Sequence, residues 1–483
     1  MSFLGIDLGT SGLRALLVAD DGSPIGSAEA QYQARQPHPG WSEQDPSDWI
    51  AALEAAVGHL RIAHPAFADL KGIGVAGHMH GATLLDEKNA VIRPCILWND
   101  TRSATEAAQL DATKGVREIS GNIVFPGFTA PKLEWVRKHE PEAYARVAKV
   151  LLPAAYLNLY LTGEHVSDMS DCSGTSWLDV AARDWSDELL DASHMRRDQM
   201  PRLVEGSAAA GQLRTGLASA WGVSNDVVVA GGAGDNAAAA CGAGALHEGQ
   251  GFVSLGTSGV LLLARDDYQP APETAVHTFC HALPDCWYQM GVMLSATASL
   301  DWLAQISGQS AETLTKALGP TPSPPGPLRF LPYLSGERTP HNDAEIRGAF
   351  VGIETQTTLP DMTRAVLEGV AFGLRDCAEA MKSAGASFQH LLAIGGGAAS
   401  PYWVRLIATV LGVPLGIPAN SGFFVAMGAA RLAMIAATKA APEEVIQPPK
   451  AENTIDPDQT LMPAFDEAYR KFRASYPAIR SIQ

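Results

Sequence analysis

The chain has 483 residues, 46% of them hydrophobic, enough for two large domains with separate cores. A net charge of -17 without a Lys/Arg-rich run excludes the basic face that nucleic-acid binding requires, so an anionic ligand must be met by backbone N–H groups, helix N-termini or a metal ion. Cys95, Cys172, Cys241, Cys280, Cys286 and Cys377 form no Cys-x-x-Cys pair, and neither a signal peptide nor an uncharged membrane span is evident; a reduced, cytoplasmic protein with no membrane association is expected.

The first predicted element is a β-hairpin. Residues 3–6 are apolar, Asp7 follows, and Leu8-Gly9-Thr10-Ser11-Gly12 turns the chain into the apolar residues 16–18. Residues 49–60 read as a helix and 70–76 as a buried strand that ends just before His78-Met79-His80-Gly81. Ile96-Leu97 lead into Trp98-Asn99-Asp100. Residues 226–230 form another apolar strand, followed by a Gly turn, Asp235-Asn236 and an Ala-rich helix start. A Gly-rich stretch near 243–250 divides the chain. Behind it, residues 255–259 again read Leu-Gly-Thr-Ser-Gly between apolar flanks, which predicts a second hairpin opening a second half. Residues 319–327, with five prolines, are an exposed loop. A helix over 360–382 has Pro360 in its first turn. A strand over 391–394 runs through Gly395-Gly396-Gly397-Ala398 into a helix near 401–411, and the tail ends in a helix near 462–476. The alternation is α/β.

No Gly-x-x-x-x-Gly-Lys-Ser/Thr string occurs, so phosphate binding falls to the two hairpin turns. Glycines let the backbone approach an anion, and Thr10, Ser11, Thr257 and Ser258 add hydroxyl donors. Asp7, at a strand end beside the first turn, is placed to hold Mg²⁺ against a phosphate; the second copy has Ser254 there, so only one half would hold a metal. Asp235 lies at a strand's carboxyl end, where it serves either as a base or as a cap of the Ala helix. Polyol recognition needs fixed donors and acceptors. His78, Met79, His80, Trp98 and Asp100 sit at strand ends that supply them, and His78 and His80, two apart on an extended chain, are expected to point the same way. His277 and His281 read as core and loop residues.

From residue 3 to about residue 437 the chain resembles the FGGY carbohydrate kinases. Gly127-Phe128-Thr129-Ala130-Pro131-Lys132-Leu133-Glu134-Trp135 is similar to the first family signature; Gly348-Ala349-Phe350-Val351-Gly352-Ile353, with the string over 361–368, is similar to the second. Met79-His80-Gly81, Ile96 to Asp100, Trp41 to Pro46, Ser167 to Asp171 and Phe330 to Arg338 look most like the members that phosphorylate D-xylulose. The resemblance implies two ribonuclease-H-like (actin-like ATPase) domains flanking a catalytic cleft. Residues 1–245 would carry the sugar site, 246–440 the nucleotide, and 441–483 a tail on the second domain. It implies ATP and Mg²⁺ as cofactors and a small sugar as partner, with a homodimer as the assembly to test. Asp235 would be the base for the 5-hydroxyl of D-xylulose, with Asp7 its catalytic partner and both near the metal. Met79, His80, Trp98, Asp100 and Asn236 would line the sugar. Thr10, Ser11, Arg14, Gly256, Thr257, Gly396, Gly397 and Ala398 would hold ATP. A kinase for ribulose, glycerol or another polyol, and an actin- or chaperone-like ATPase, are the alternatives. His78 and Gly422 depart from the usual family pattern.

Overall fold

A computed structural model describes residues 1–419 and 421–483. Its two mixed sheets are built alike. The first contains β1 (Ser2–Leu8), β2 (Gly12–Ala19), β3 (Pro24–Gln31), β4 (Leu70–Gly77), β5 (Ala209–Gln212) and β6 (Val228–Ala230) in the order β5-β6-β4-β1-β2-β3, with the short β7 (Ala233–Gly234) also paired to β4. The second contains β8 (Gln250–Leu255), β9 (Gly259–Arg265), β10 (His277–Cys280), β11 (Trp287–Met293), β12 (His390–Ile394), β13 (Leu415–Pro418) and β14 (Ala451–Ile455), in the order β10-β11-β9-β8-β12-β13-β14.

In each sheet a central strand pairs antiparallel with its hairpin partner and parallel with a distant strand: β1 with β2 and β4, β8 with β9 and β12. The next two pairings repeat as well, parallel for β4–β6 and β12–β13, antiparallel for β6–β5 and β13–β14. The repeated pentapeptide therefore marks a duplication of whole sheets. The central strands are near-continuous apolar runs because both faces are covered; Phe3, Leu4, Ile6 and Leu8 of β1 are fully buried.

Two helices tie the halves together. The Asp235–Ala243 helix packs its alanines on Phe252, Leu262 and Leu392 of the second sheet. The Phe424–Thr438 helix comes from the second half, yet sets Ala426, Ala430 and Met434 on Phe3, Leu16 and Val18 of the first. The two helices also touch each other through bare glycines. A Cβ on Gly428 would lie 1.8 Å from the Ala238 carbonyl oxygen, and one on Gly242 would lie 2.0 Å from that of Phe424. Gly5 and Gly74 meet the Ala426 and Ala429 carbonyls as closely.

The 421–438 window, at mean hydropathy 1.4, is long and apolar enough to cross a membrane, which the sequence reading did not anticipate. Its apolarity follows from its place against the first sheet, and its one cation, Arg431, donates to the Cys241 (2.8 Å) and Gly242 (3.1 Å) carbonyls. The tail packs on the second half. It supplies the edge strand β14, and its final helix, Met462–Arg480, buries Phe465, Tyr469 and Phe472 in the second core. All six cysteines are buried and unpaired.

Candidate active site

The first hairpin turn is held from behind. The carbonyls of Gly9, Thr10 and Ser11 accept from the Tyr32 hydroxyl (2.6 Å), Gln44 Nε2 (2.5 Å) and the Tyr32 amide (3.2 Å). With its acceptors committed to the protein, the chemistry left to the turn is donation, as anion binding requires. Trp98 is exposed despite its size and donates from Nε1 to Thr10 Oγ1 (3.0 Å), so the 98–102 loop and the first hairpin turn share one bond. Gly127 lets that loop pass, since a Cβ there would lie 2.1 Å from the Trp98 carbonyl oxygen.

Asp7 pairs with Arg14 across the hairpin and lies next to Ala76 of β4. Burial, reinforced by the negative charge of Asp235, pushes its carboxyl up to about 7, and Arg14 opposes that shift. The two aspartates thus face one another electrostatically although 228 residues separate them in sequence. Asp235 is the first residue of its helix. The cap position is Gly234, so Asp235 does not cap. Its Oδ1 accepts from the Asn236 amide (2.7 Å) and Asn236 Nδ2 (3.0 Å); burial outweighs these bonds and raises the carboxyl to about 6. Ser170 Oγ accepts from the Gly234 amide (3.2 Å) and fixes the entry to this residue.

Met79 packs beneath Gly234: a Cβ there would lie 2.8 Å from Met79 Cγ. His80 has a left-handed backbone (φ 70°), its carbonyl accepts from Lys132 Nζ (2.8 Å), and its ring stacks on Phe128 at 4.6 Å. Burial, with Lys132 next, pushes the His80 ring down to about 3 and keeps it neutral. Nδ1 is 2.7 Å from the Gly174 carbonyl and donates to it, which leaves Nε2 as an acceptor. His78 and His80 do not point the same way as expected, because the strand ends at Gly77 and the next residues turn. His78 is buried against Trp49 (5.6 Å), with burial holding its ring down to about 3.

On the other half, a cavity of about 590 Å³ opens against the Gly396-Gly397 turn. Gly396 has free space around it, while a Cβ on Gly397 would press on Leu255 (2.8 Å). Thr297, Asp301, Thr315, Lys316 and Tyr402 complete its wall. The sequence reading missed these residues because they lie on helices without a motif. The Gly256 and Thr257 carbonyls accept from the Thr297 and Ala296 amides (both 2.9 Å), joining the second hairpin turn to that wall.

Three expected contacts are placed otherwise. Asp100 is buried, accepts from the Ser42 amide (2.6 Å) and pairs with Arg102 (2.7 Å), so its carboxylate braces the 98–102 loop and is not open to a sugar. Ala398 packs on the second core, and Ala399 lines the cavity in its place. Arg14 is engaged by Glu29 (2.6 Å), by the Gly422 carbonyl and by the Phe423 ring (4.9 Å), clamping the first hairpin to the start of the 424–438 helix.

Residues 2–242 match the N-terminal domain, and residues 251–437 the C-terminal domain, of the FGGY family of carbohydrate kinases. The chain is 46% identical over 478 residues to a xylulose kinase of Escherichia coli (strain K12), covering 98% of both. It is 48% identical over 436 residues to one of Klebsiella pneumoniae, covering 90% of both. The crystal structure of a "xyloylose kinase" from Brucella ovis superposes with a TM-score of 0.99 at 55% identity, covering 100% of both chains.

Proposed function

The chain belongs to the FGGY family of carbohydrate kinases, and on that premise we propose that it transfers the γ-phosphoryl group of ATP to the 5-hydroxyl of D-xylulose. The observation that carries the site assignment is the position of Asp235. The residue before it, Gly234, packs on Met79, and the charge of Asp235 acts on Asp7 beside the phosphate turn. Near-full-length likeness to xylulose kinases supports the substrate; no particular observation favours ribulose, glycerol or an ATPase without a sugar.

Asp235 accepts the proton of O5 as O5 attacks the γ-phosphorus; the bond to the β-phosphate oxygen breaks and ADP leaves. A carboxyl at about 6 is mostly ionised at neutral pH, yet basic enough to take that proton. His80 Nε2, Asn236 and Trp98 orient the sugar. The Leu8–Gly12 and Leu255–Gly259 turns, with Thr10, Ser11 and Thr257, take the phosphates. Adenosine occupies the cavity at Gly396 and Gly397.

The acid pair also fits Mg²⁺. Each carboxyl is held above the ordinary range, and a cation beside them would relieve both. Mg²⁺ takes one or two carboxylates and completes its shell with phosphate and water, and among the described residues no larger His, Cys, Asp or Glu cluster forms. Asp7 and Asp235 would hold it, and bound there it would neutralise charge on the phosphates.

In this reading residues 1–245 carry the sugar and base, 246–440 the nucleotide, and 441–483 a brace on the second sheet. The enzyme works in the cytoplasm. Coupled assay of ADP release across D-xylulose, D-ribulose and glycerol tests the proposal; a higher kcat/KM for either of the last two overturns it.

A further inference from the structure

The string over 330–338 ends in an arginine that the reaction described above does not use. Arg338 comes from the second half and reaches toward the first. Its guanidinium carbon lies 4.5 Å from the centre of the Phe125 ring, and Nη1 is 3.5 Å from Nε2 of His277. Among the described residues it makes no salt bridge. The adjacent Glu337 accepts instead from the Leu294 (2.9 Å) and Arg338 (2.8 Å) amides, and burial pushes it up to about 8, so it is largely neutral at pH 7. A half-buried cation without a carboxylate partner is costly unless a ligand uses it.

Its surroundings are the sugar turn. Phe125 meets Phe128 at 5.6 Å, Phe128 stacks on His80, and His277 lies 5.3 Å from Phe125. Arg338 therefore lies on the Phe125, Phe128 and His277 side of the sugar turn, and its charge lowers the basicity of both His80 and His277.

The chemistry of the substrate says what lies there. A ketopentose closes its furanose ring by adding O5 to C2. An O5 free to attack phosphorus belongs to the open chain, whose C2 carbonyl and C1 hydroxyl are then exposed at the far end. We propose that Arg338 donates to the C2 carbonyl oxygen and C1 hydroxyl of the open-chain ketose, and so selects ketoses over the corresponding alditols. This rests on the proposed sugar phosphorylation. Phe125 supports the guanidinium from one side, and Nε2 of the neutral His277 ring accepts a hydrogen bond from Nη1.

The test is steady-state kinetics of Arg338→Met and Arg338→Lys, with xylitol as a competitive inhibitor and thermal unfolding as the check on folding. Arg338→Met is expected to raise the KM for D-xylulose about 10- to 100-fold, as for the loss of a charged hydrogen-bond partner. kcat should fall less than KM rises, and the KM for ATP and the xylitol inhibition constant should move less than about threefold. Arg338→Lys, which keeps the charge without the planar fork, should recover part of the loss. A D-xylulose KM within twofold of wild type in Arg338→Met, or in Arg338→Lys should the methionine variant not fold, overturns the inference. So does a parallel loss for xylitol. Failure of the wild-type enzyme to phosphorylate D-xylulose would instead remove the functional reading beneath it.

Discussion

Replacing Asp235 with Asn should destroy activity and stabilise the protein, in a pH-dependent way. Folding raises this carboxyl from its ordinary 3.8 to about 6. Because the folded pKa lies above the unfolded one, the native state favours the neutral acid. The stabilising contribution is fully present below about pH 4 and is lost as pH rises through about 6. Each pKa unit is worth ~1.4 kcal/mol, so the ionised carboxylate costs the folded state ~3 kcal/mol at pH 8. The carboxamide avoids that cost and keeps one oxygen to accept from Asn236, though the second Asp235 oxygen becomes an amide donor that needs a partner. A net gain of ~1–2 kcal/mol is expected at pH 8, shrinking to nearly nothing at pH 4. Loss of the base should lower kcat by ~10²–10⁴-fold with little change in the KM for sugar. In the wild type, kcat/KM should fall with an acid limb at or below about pH 6, because only the ionised carboxylate takes the proton and a bound cation lowers its pKa. Urea unfolding at both pH values without metal or nucleotide, together with coupled-assay kinetics, measures all of this. An Asp235→Asn protein less stable than wild type at pH 8, or one keeping more than a tenth of kcat, would refute the reasoning.

Asp7→Asn should remove the charge that faces Asp235, lower kcat sharply and raise the Mg²⁺ concentration needed for half-maximal rate; an unchanged Mg²⁺ dependence would show that Asp7 does not act beside the metal. Asp100→Ala should destabilise by ~2–4 kcal/mol, since it leaves the buried Arg102 with Glu43 (2.7 Å) as its remaining carboxylate and frees the Ser42 amide; thermal unfolding reads this, and a changed sugar preference at unchanged stability would contradict it. Gly428→Ala should prevent cooperative folding or cost more than ~3 kcal/mol, because backbone oxygen blocks its Cβ. Gly396→Ala, which meets open space, should fold normally and raise the KM for ATP several-fold, as nucleotide titration would show.

Much of this was legible in one chain of letters because local chemistry left its mark there. The two Leu-Gly-Thr-Ser-Gly turns, the strand over 70–77 and the Gly395-Gly396-Gly397 turn were readable from glycine placement and apolar runs, which are short-range. Asp235 and Asp7 stood out because each follows a buried strand. Other features depended on what the chain meets after folding. Asp100 has the residue type and strand-end position of a sugar ligand, and only the approach of Arg102 and Ser42 makes it a brace. His78 and His80 lose their common direction because His80 turns left-handed above Lys132, from a different helix.

The sequence by itself determined the duplication, the α/β class and the acids at the strand ends, since strand periodicity and turn chemistry act over a few residues. The tertiary structure alone decided how the halves become one cleft. Asp7 and Asp235 affect each other only because β1 and β7 both lie against β4, and the cavity wall at Thr297 and Lys316 carries no motif. The exchange of the Asp235–Ala243 and Phe424–Thr438 helices rests on backbone-to-backbone contacts at Gly5, Gly74, Gly242 and Gly428. A glycine shows in sequence that a close approach is permitted; which carbonyl fills the space is settled by packing between residues hundreds of positions apart.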